Sequence, residues 1–243
     1  MKYHTTLLRL GSLGFTCIFL LIPCMSTTSK QESSPPLPVS DVPLISVDAV
    51  YTDLIASGNT VTITTEGNRH YIPLHMYYQT DPQWNENFLY GDTDHMTTHG
   101  CGPTALAILI SSLTDTQLSP VDAAVWAHNN HQHAPSSGSY HSIIPDGAAA
   151  YNLNVDYLST LDFEQLKVRL NEGQLIALLM GPGDFSDSGH FVVIYGYTDD
   201  NQILIADPAS EQRTASAWDS KLVESQLSTS AQANGPIWVI SNP

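Results

Sequence analysis

Cysteine is scarce in this 243-residue chain: there are three, and two of them, Cys17 and Cys24, fall in the first 26 residues. The remainder keeps only Cys101, so no disulfide can form within it, and a disulfide-stapled scaffold is excluded. Positive charge is equally short. Eight Lys and Arg stand against 24 Asp and Glu, for a net charge of −16. Such a surface repels nucleic acid and anionic lipid, which removes both as partners. Long apolar runs are missing as well: the longest, Leu13 to Ile22, is too short to cross a membrane. There are no paired cysteines, no H-E-x-x-H segment and no internal repeat.

What the N-terminus does have is Lys2 and Arg9, then that apolar stretch, then small polar residues. This reads as a secretory signal over 1–26, implying a bacterial protein that is secreted or held at the outer surface. Leu21-Ile22-Pro23-Cys24 is similar to a lipoprotein box, although Pro23 stands where a small residue is usual. Lipidation of Cys24 would be the one route to the membrane. Residues 27–45, rich in Ser, Thr and Pro, read as a disordered linker. A single folded domain, expected to be a monomer, is then assigned to 46–243, with its motifs in 70–243.

Apolar periodicity changes along that domain. Val61–Thr65 and Tyr71–Tyr78 read as extended runs, with Pro73 forcing an edge or a break in the second. Helices are expected over 104–113, from Ser119-Pro120 onward, over 142–151 and over 162–172, the last ended by Gly173. Short β-branched runs follow at 175–180, 191–197, 203–206 and 237–240. The expected class is therefore α+β, a helical half packed on an antiparallel sheet.

The most informative stretch is His99-Gly100-Cys101-Gly102-Pro103-Thr104. Pro103 suits a first helical turn, and the apolar run that follows is helix-forming. Cys101 then lies at a helix N-terminus, where unsatisfied N–H groups favour a thiolate. A buried structural cysteine fits the same residues. A hairpin centred on Thr198-Asp199 would set His190 directly opposite Asp207, within hydrogen-bond reach. A thiol, an imidazole and a carboxylate suit nucleophilic catalysis: the imidazole holds the thiolate and protonates the leaving amine, and the carboxylate fixes its tautomer. Replacing Asp207 by Asn is then expected to spare stability and remove activity. Gln79 in Tyr77-Tyr78-Gln79-Thr80-Asp81 is a candidate oxyanion donor, with the Cys101 N–H as its partner.

These residues resemble the papain-like cysteine peptidases of family thirty-nine, whose founding members cut double-glycine leaders from bacteriocins, and in particular their stand-alone secreted relatives. The resemblance runs from about Tyr71 to the C-terminus, through Tyr78-Gln79, Asp81-Pro82-Gln83-Trp84, Gly100-Cys101-Gly102-Pro103-Thr104, Gly189-His190-Phe191, Asp207-Pro208, Trp218 and Trp238. It implies a papain-like fold, Cys101 as nucleophile, His190 as base, Asp207 as orienting acid, Gln79 in the oxyanion hole, a peptide or protein substrate and no cofactor. The sequence departs from the leader peptidases in having no transporter portion and in placing Gly100, not an acidic residue, before the cysteine. Two other outcomes suit the same residues: a silent domain that binds peptide or cell-wall material, and a hydrolase of peptidoglycan stem peptides. A metal site is not expected. His128, His131, His133 and His141 share a polar stretch, and His95 and His99 lie near Cys101, but neither spacing fits a zinc helix.

Overall fold

A computed structural model describes residues 61–85 and 88–243. The expected signal segment, the lipid-attachment site at Cys24, the linker and residues 46–60 lie outside the described residues.

In chain order the elements are strands β1 (Thr64–Glu66) and β2 (Arg69–Tyr71), helix α1 (Pro82–Asn85), strands β3 (Leu89–Tyr90) and β4 (Asp94–His95), and helices α2 (Met96–His99), α3 (Cys101–Leu113) and α4 (Pro120–Asn129). Strands β5 (His133–Ala134) and β6 (Gly138–Ser139), helix α5 (Ile143–Ala150), strand β7 (Asn154–Tyr157) and helix α6 (Phe163–Asn171) come next. Strands β8 (Leu175–Met180), β9 (His190–Thr198) and β10 (Gln202–Ala206), helix α7 (Glu211–Ala215), strand β11 (Ala217–Asp219), helix α8 (Ser220–Ser225) and strand β12 (Ile237–Ser241) complete the chain. This is the mixed helix and antiparallel sheet architecture that the apolar periods imply.

The local reasons are visible residue by residue. Ser119 caps α4 by accepting from the Asp122 N–H, and Pro120 takes the first helical position. Pro145 is tolerated in α5 because it sits in the first turn, where no intrahelical donor is needed. Asp162 caps α6, and Gly173, at φ +77°, lies just beyond its end. Helix α3 differs from the others in being apolar nearly all round: Gly102 through Ser111 are all buried. A helix of that pattern belongs in the middle of a domain, and α3 packs against α4, α5 and β9. Each of Leu106, Ile108, Leu109 and Ile110 is fully buried, contributing on the order of 2 kcal/mol.

The main sheet runs β1-β2-β9-β8-β12-β7, with β10 on the other edge of β9 and β11 beyond it. All of its strand pairs are antiparallel. Every residue of β8 is buried, and all of β9 but Tyr195, so these central strands read as continuous apolar runs. The strands β1 and β2 join the sheet from before the helices, which the order of apolar periods does not foretell. The early extended runs are shorter in ladder than expected. Only Thr64–Glu66 and Arg69–Tyr71 pair, after which the chain leaves the sheet at Pro73, a residue with no N–H to give. The polar stretch that holds His128, His131 and His133 is partly ordered as the end of α4 and the β5–β6 hairpin. Among the described residues no helix is long and apolar enough to cross a membrane.

The β9–β10 register differs from the expected one. Ile203 pairs with Tyr197 and Leu204 with Gly196, and after a bulge Ile205 pairs with Ile194 and Ala206 with Val193. His190 and Asp207 are therefore not directly opposed. Continued by one step, the observed register would set Asp207 across from Val192, two residues from His190 and on the same face. That diagonal spacing is still within reach of long side chains.

Candidate active site

Helix α2 ends at His99, Gly100 caps α3, and Cys101 is the first residue of α3. The two glycines make the close turn feasible by lacking side chains. A Cβ on Gly100 would stand 2.5 Å from the Met96 carbonyl oxygen, and one on Gly102 would stand 2.5 Å from the Ser139 hydroxyl. Gly100 itself has ordinary backbone angles, φ −86° and ψ 4°, so it is proximity and not a left-handed turn that requires glycine there.

His190 opens β9 and Asp207 follows the last residue of β10, with 6% and 0% of their surfaces exposed. The His190 Nε2–H donates to Asp207 Oδ1 at 2.8 Å. That leaves Nδ1 to face Cys101, whose thiol and the His190 ring lie close enough to shift each other's titration. Three of the four residues singled out from the sequence thus form one connected chain: sulfur, imidazole, carboxylate.

The electrostatics follow from this connection. Burial alone would push the Cys101 thiol up. The His190 ring and its charge, with the N–H groups of Phe191 and Gly102, outweigh it and bring the thiol below its ordinary value. For His190, burial alone would lower the imidazole, but its bonds to Asp207 and Cys101 carry it up to about 9. Asp207 would rise on burial, yet His190, Arg213 and the Ala209 N–H hold it below the usual carboxylate range. All three shifts favour the charged forms, a thiolate beside an imidazolium and a carboxylate.

Gln79 is buried and lies in the segment leading to α1, tied by its own N–H to the Pro208 carbonyl at 2.8 Å. Trp84, two residues beyond Pro82, donates its indole N–H to the Tyr78 carbonyl at 2.9 Å and so fixes the residue before Gln79. The Gln79 amide nitrogen donates to the carbonyls of Thr97 at 2.7 Å and Met96 at 3.3 Å. Two acceptors on that side fix which end of the amide is nitrogen. Its Oε1 is buried and has no hydrogen-bond partner among the described residues. Both amide hydrogens are thus directed at the turn that precedes Cys101.

Sequence reasoning did not anticipate Arg213, whose Nε donates to Asp207 Oδ2 at 2.5 Å, or Thr214, whose hydroxyl accepts the Asp207 backbone N–H at 2.9 Å. The available signal was the rarity of cations: Arg213 is one of six Lys and Arg after residue 26, and it lies six residues beyond Asp207. The histidine-rich stretch resolves into separate roles. His133 is buried, donates from Nε2 to Asp94 Oδ2 at 2.8 Å and packs on Tyr90, while His141 Nδ1 accepts the Gln232 N–H. Among the described residues no group of three or more His, Cys, Asp or Glu is arranged to hold a metal ion.

The model of the family described as Peptidase_C39 like family matches residues 72–234, about two thirds of the sequence and the whole stretch from Gln79 to Asp207. The chain belongs to this family. Family and fold together point to cysteine peptidase chemistry. Solved structures to which this C39-like chain is similar include the peptidase domain of Streptococcus ComA, a bi-functional ABC transporter, at 16% identity over 60% of this chain and 93% of that one, with a TM-score of 0.45. Others are a C39-like peptidase from Bacillus anthracis (14%, 69% and 94%, TM-score 0.46) and a double glycine motif protease from an AMS/PCAT transporter in complex with its leader peptide (16%, 76% and 100%, TM-score 0.43). No curated protein matches the chain.

Proposed function

We propose that the protein is an exported cysteine peptidase in which Cys101, His190 and Asp207 hydrolyse a peptide bond. The observation that carries this reading is the buried His190–Asp207 hydrogen bond, 2.8 Å, with the Cys101 thiol at the helix start close enough to the same ring for each to shift the other's titration. The thiolate attacks the scissile carbonyl carbon, and the His190 imidazolium gives its proton to the leaving amine, leaving a thioester on Cys101. Neutral His190 then takes a proton from water, whose oxygen attacks the thioester; the C–S bond breaks, the carboxylic acid is released, and the thiolate and imidazolium are restored. The Cys101 backbone N–H and Gln79 stabilise the oxyanion, the Gln79 amide exchanging its longer bond, 3.3 Å to the Met96 carbonyl, for the substrate oxygen. Lys2, Arg9 and the apolar 13–22 stretch support export, and Cys24 is the attachment point if the mature chain is lipidated.

One observation favours a second reading. Because both Gln79 hydrogens are engaged with backbone carbonyls, a domain that binds peptides without cleaving them accounts for this geometry equally well. Incubating the exported form with a peptide library and reading the products by mass spectrometry separates the two. Turnover that disappears in Cys101→Ala, with the fold retained, supports the peptidase. Intact peptides, and a Cys101 that iodoacetamide alkylates no faster than free cysteine, overturn it.

A further inference from the structure

The buried carboxylate of Asp207 has a second partner besides the imidazole. Its Oδ1 accepts His190 Nε2–H at 2.8 Å and the Ala209 N–H at 2.7 Å, while Oδ2 accepts Arg213 Nε–H at 2.5 Å. The Asp207 side chain is 0% exposed and that of Arg213 27%, so the guanidinium closes the solvent side of the carboxylate. Arg213 is in turn held in place. Its N–H is bonded to the Ser210 cap, its carbonyl accepts the Trp218 indole N–H at 3.0 Å, and Trp218 packs on Phe185 in the loop that leads to His190. A chain with so few cations has placed one of them here.

We propose that Arg213 is a positioning residue of the site: it holds Asp207 ionised and aims Oδ1 at His190 throughout the catalytic cycle. This rests on the peptidase reading above. The chemistry requires His190 to alternate between imidazolium and neutral imidazole. A buried carboxylate whose sole counter-charge vanished at each neutral stage would tend to take up a proton itself. A permanently charged guanidinium on the opposite oxygen removes that tendency. It also limits how strongly Asp207 holds the imidazolium proton, so the proton remains transferable to the leaving amine. The charged and titratable groups facing this cluster are His190 from β9, Cys101 from α3, Arg213 from α7 and Tyr78 from the Gln79 segment, whose phenol feels Thr214, Glu211 and Asp207.

The test is the titration of His190, followed by NMR of its ring protons in the full protein, for wild type, Arg213→Gln and Arg213→Lys. Loss of the positive charge leaves Asp207 to act on the imidazole undivided. The His190 titration in Arg213→Gln should therefore move upward by about half a pH unit or more. Where peptide turnover is measurable, the falling limb of its pH profile should move with it. Arg213→Lys keeps the charge and should stay close to wild type. A residue that merely supports the fold would lower the rate at every pH and leave the titration where it was. An unmoved titration in Arg213→Gln, or equal movement in Gln and Lys, overturns the proposal. If Arg213→Gln does not fold, Arg213→Met, which keeps an unbranched stem, takes its place with the same expectation. Because the titration needs no substrate, failure to find turnover counts against the peptidase reading alone, and failure of the titration to move counts against Arg213 alone.

Discussion

Replacing Asp207 by Asn changes one atom at the most buried polar position of the site, and the structure dictates two bad choices for the new amide. If its oxygen stays toward His190 and Ala209, its NH2 faces the Arg213 Nε–H, donor against donor. If it turns over, the NH2 faces His190 Nε2, forcing that ring proton to Nδ1 and pointing a donor at the Cys101 thiol. The first choice costs stability, because a cation is left beside a buried site without its anion. Breaking such a pair costs about 3 to 5 kcal/mol when fully buried, and partial exposure of Arg213 reduces this to roughly 2 to 3 kcal/mol. For a domain of this size that is a fall in Tm of roughly 4 to 12 °C. Either choice weakens the imidazolium, and with the wrong tautomer kcat should drop by about 10³ to 10⁴. Arg213 thus changes the expectation from the sequence, which foresaw loss of activity without loss of stability. Calorimetry and peptide turnover on Asp207→Asn and on Asp207→Asn/Arg213→Met decide it: the double variant should recover part of the lost Tm and none of the rate. Wild-type turnover in Asp207→Asn would refute the role given to this carboxylate.

Activity should rise with pH below the ordinary thiol range, as Cys101 ionises, and fall near pH 9 as His190 loses its proton; a profile still rising above 9 would contradict the ion pair. The same pair shapes stability. The raised His190 contributes stability that is complete below about 6.5 and lost as pH rises through about 9, while the depressed Cys101 contributes stability present above its unfolded value of about 8.5 and lost as pH falls. Cys101→Ala removes the thiolate contribution and leaves Asp207 to hold His190 up, so its Tm deficit against wild type should shrink as pH falls and the thiolate is protonated. Gln79→Ala should lower kcat by about 10² to 10³; a loss confined to KM would assign Gln79 to binding instead. Gly102→Ala should cost roughly 1 to 3 kcal/mol, read as a fall in Tm, because its Cβ would meet the Ser139 hydroxyl at 2.5 Å, and Ser139→Gly should restore most of it.

Much of the frame was legible because its signals are local. Gly100, Gly102 and Pro103 mark the start of α3 within a few residues, Ser119-Pro120 and Asp162 are helix caps, and the apolar run 175–180 coincides with β8. The His190–Asp207 partnership was legible too, but for an inexact geometric reason. The direct opposition expected from a hairpin centred on Thr198-Asp199 is replaced by a diagonal contact, because the turn lies further on, at 199–201, and the bulge at Tyr195 of β9 recovers only one residue of the difference. Strand β7 escaped notice since Asn154–Tyr157 is a largely exposed strand paired to β12 alone, with little apolar alternation. The engagement of Gln79 was beyond local reading, because its acceptors come from carbonyls 17 and 18 residues away.

The burial of α3 on nearly every side has a consequence for how such a protein can diversify. Cys101 is mounted on the least alterable rod in the domain, where an added methyl is resisted from nearly every direction. New preferences for one substrate over another must therefore come from the surface segments around the rim, such as the β5–β6 hairpin beside Gly102 or the loop before His190, while the rod stays as it is. For the same reason heat should extinguish activity and structure in a single step, since no part of the rod can melt and leave the sulfur in register.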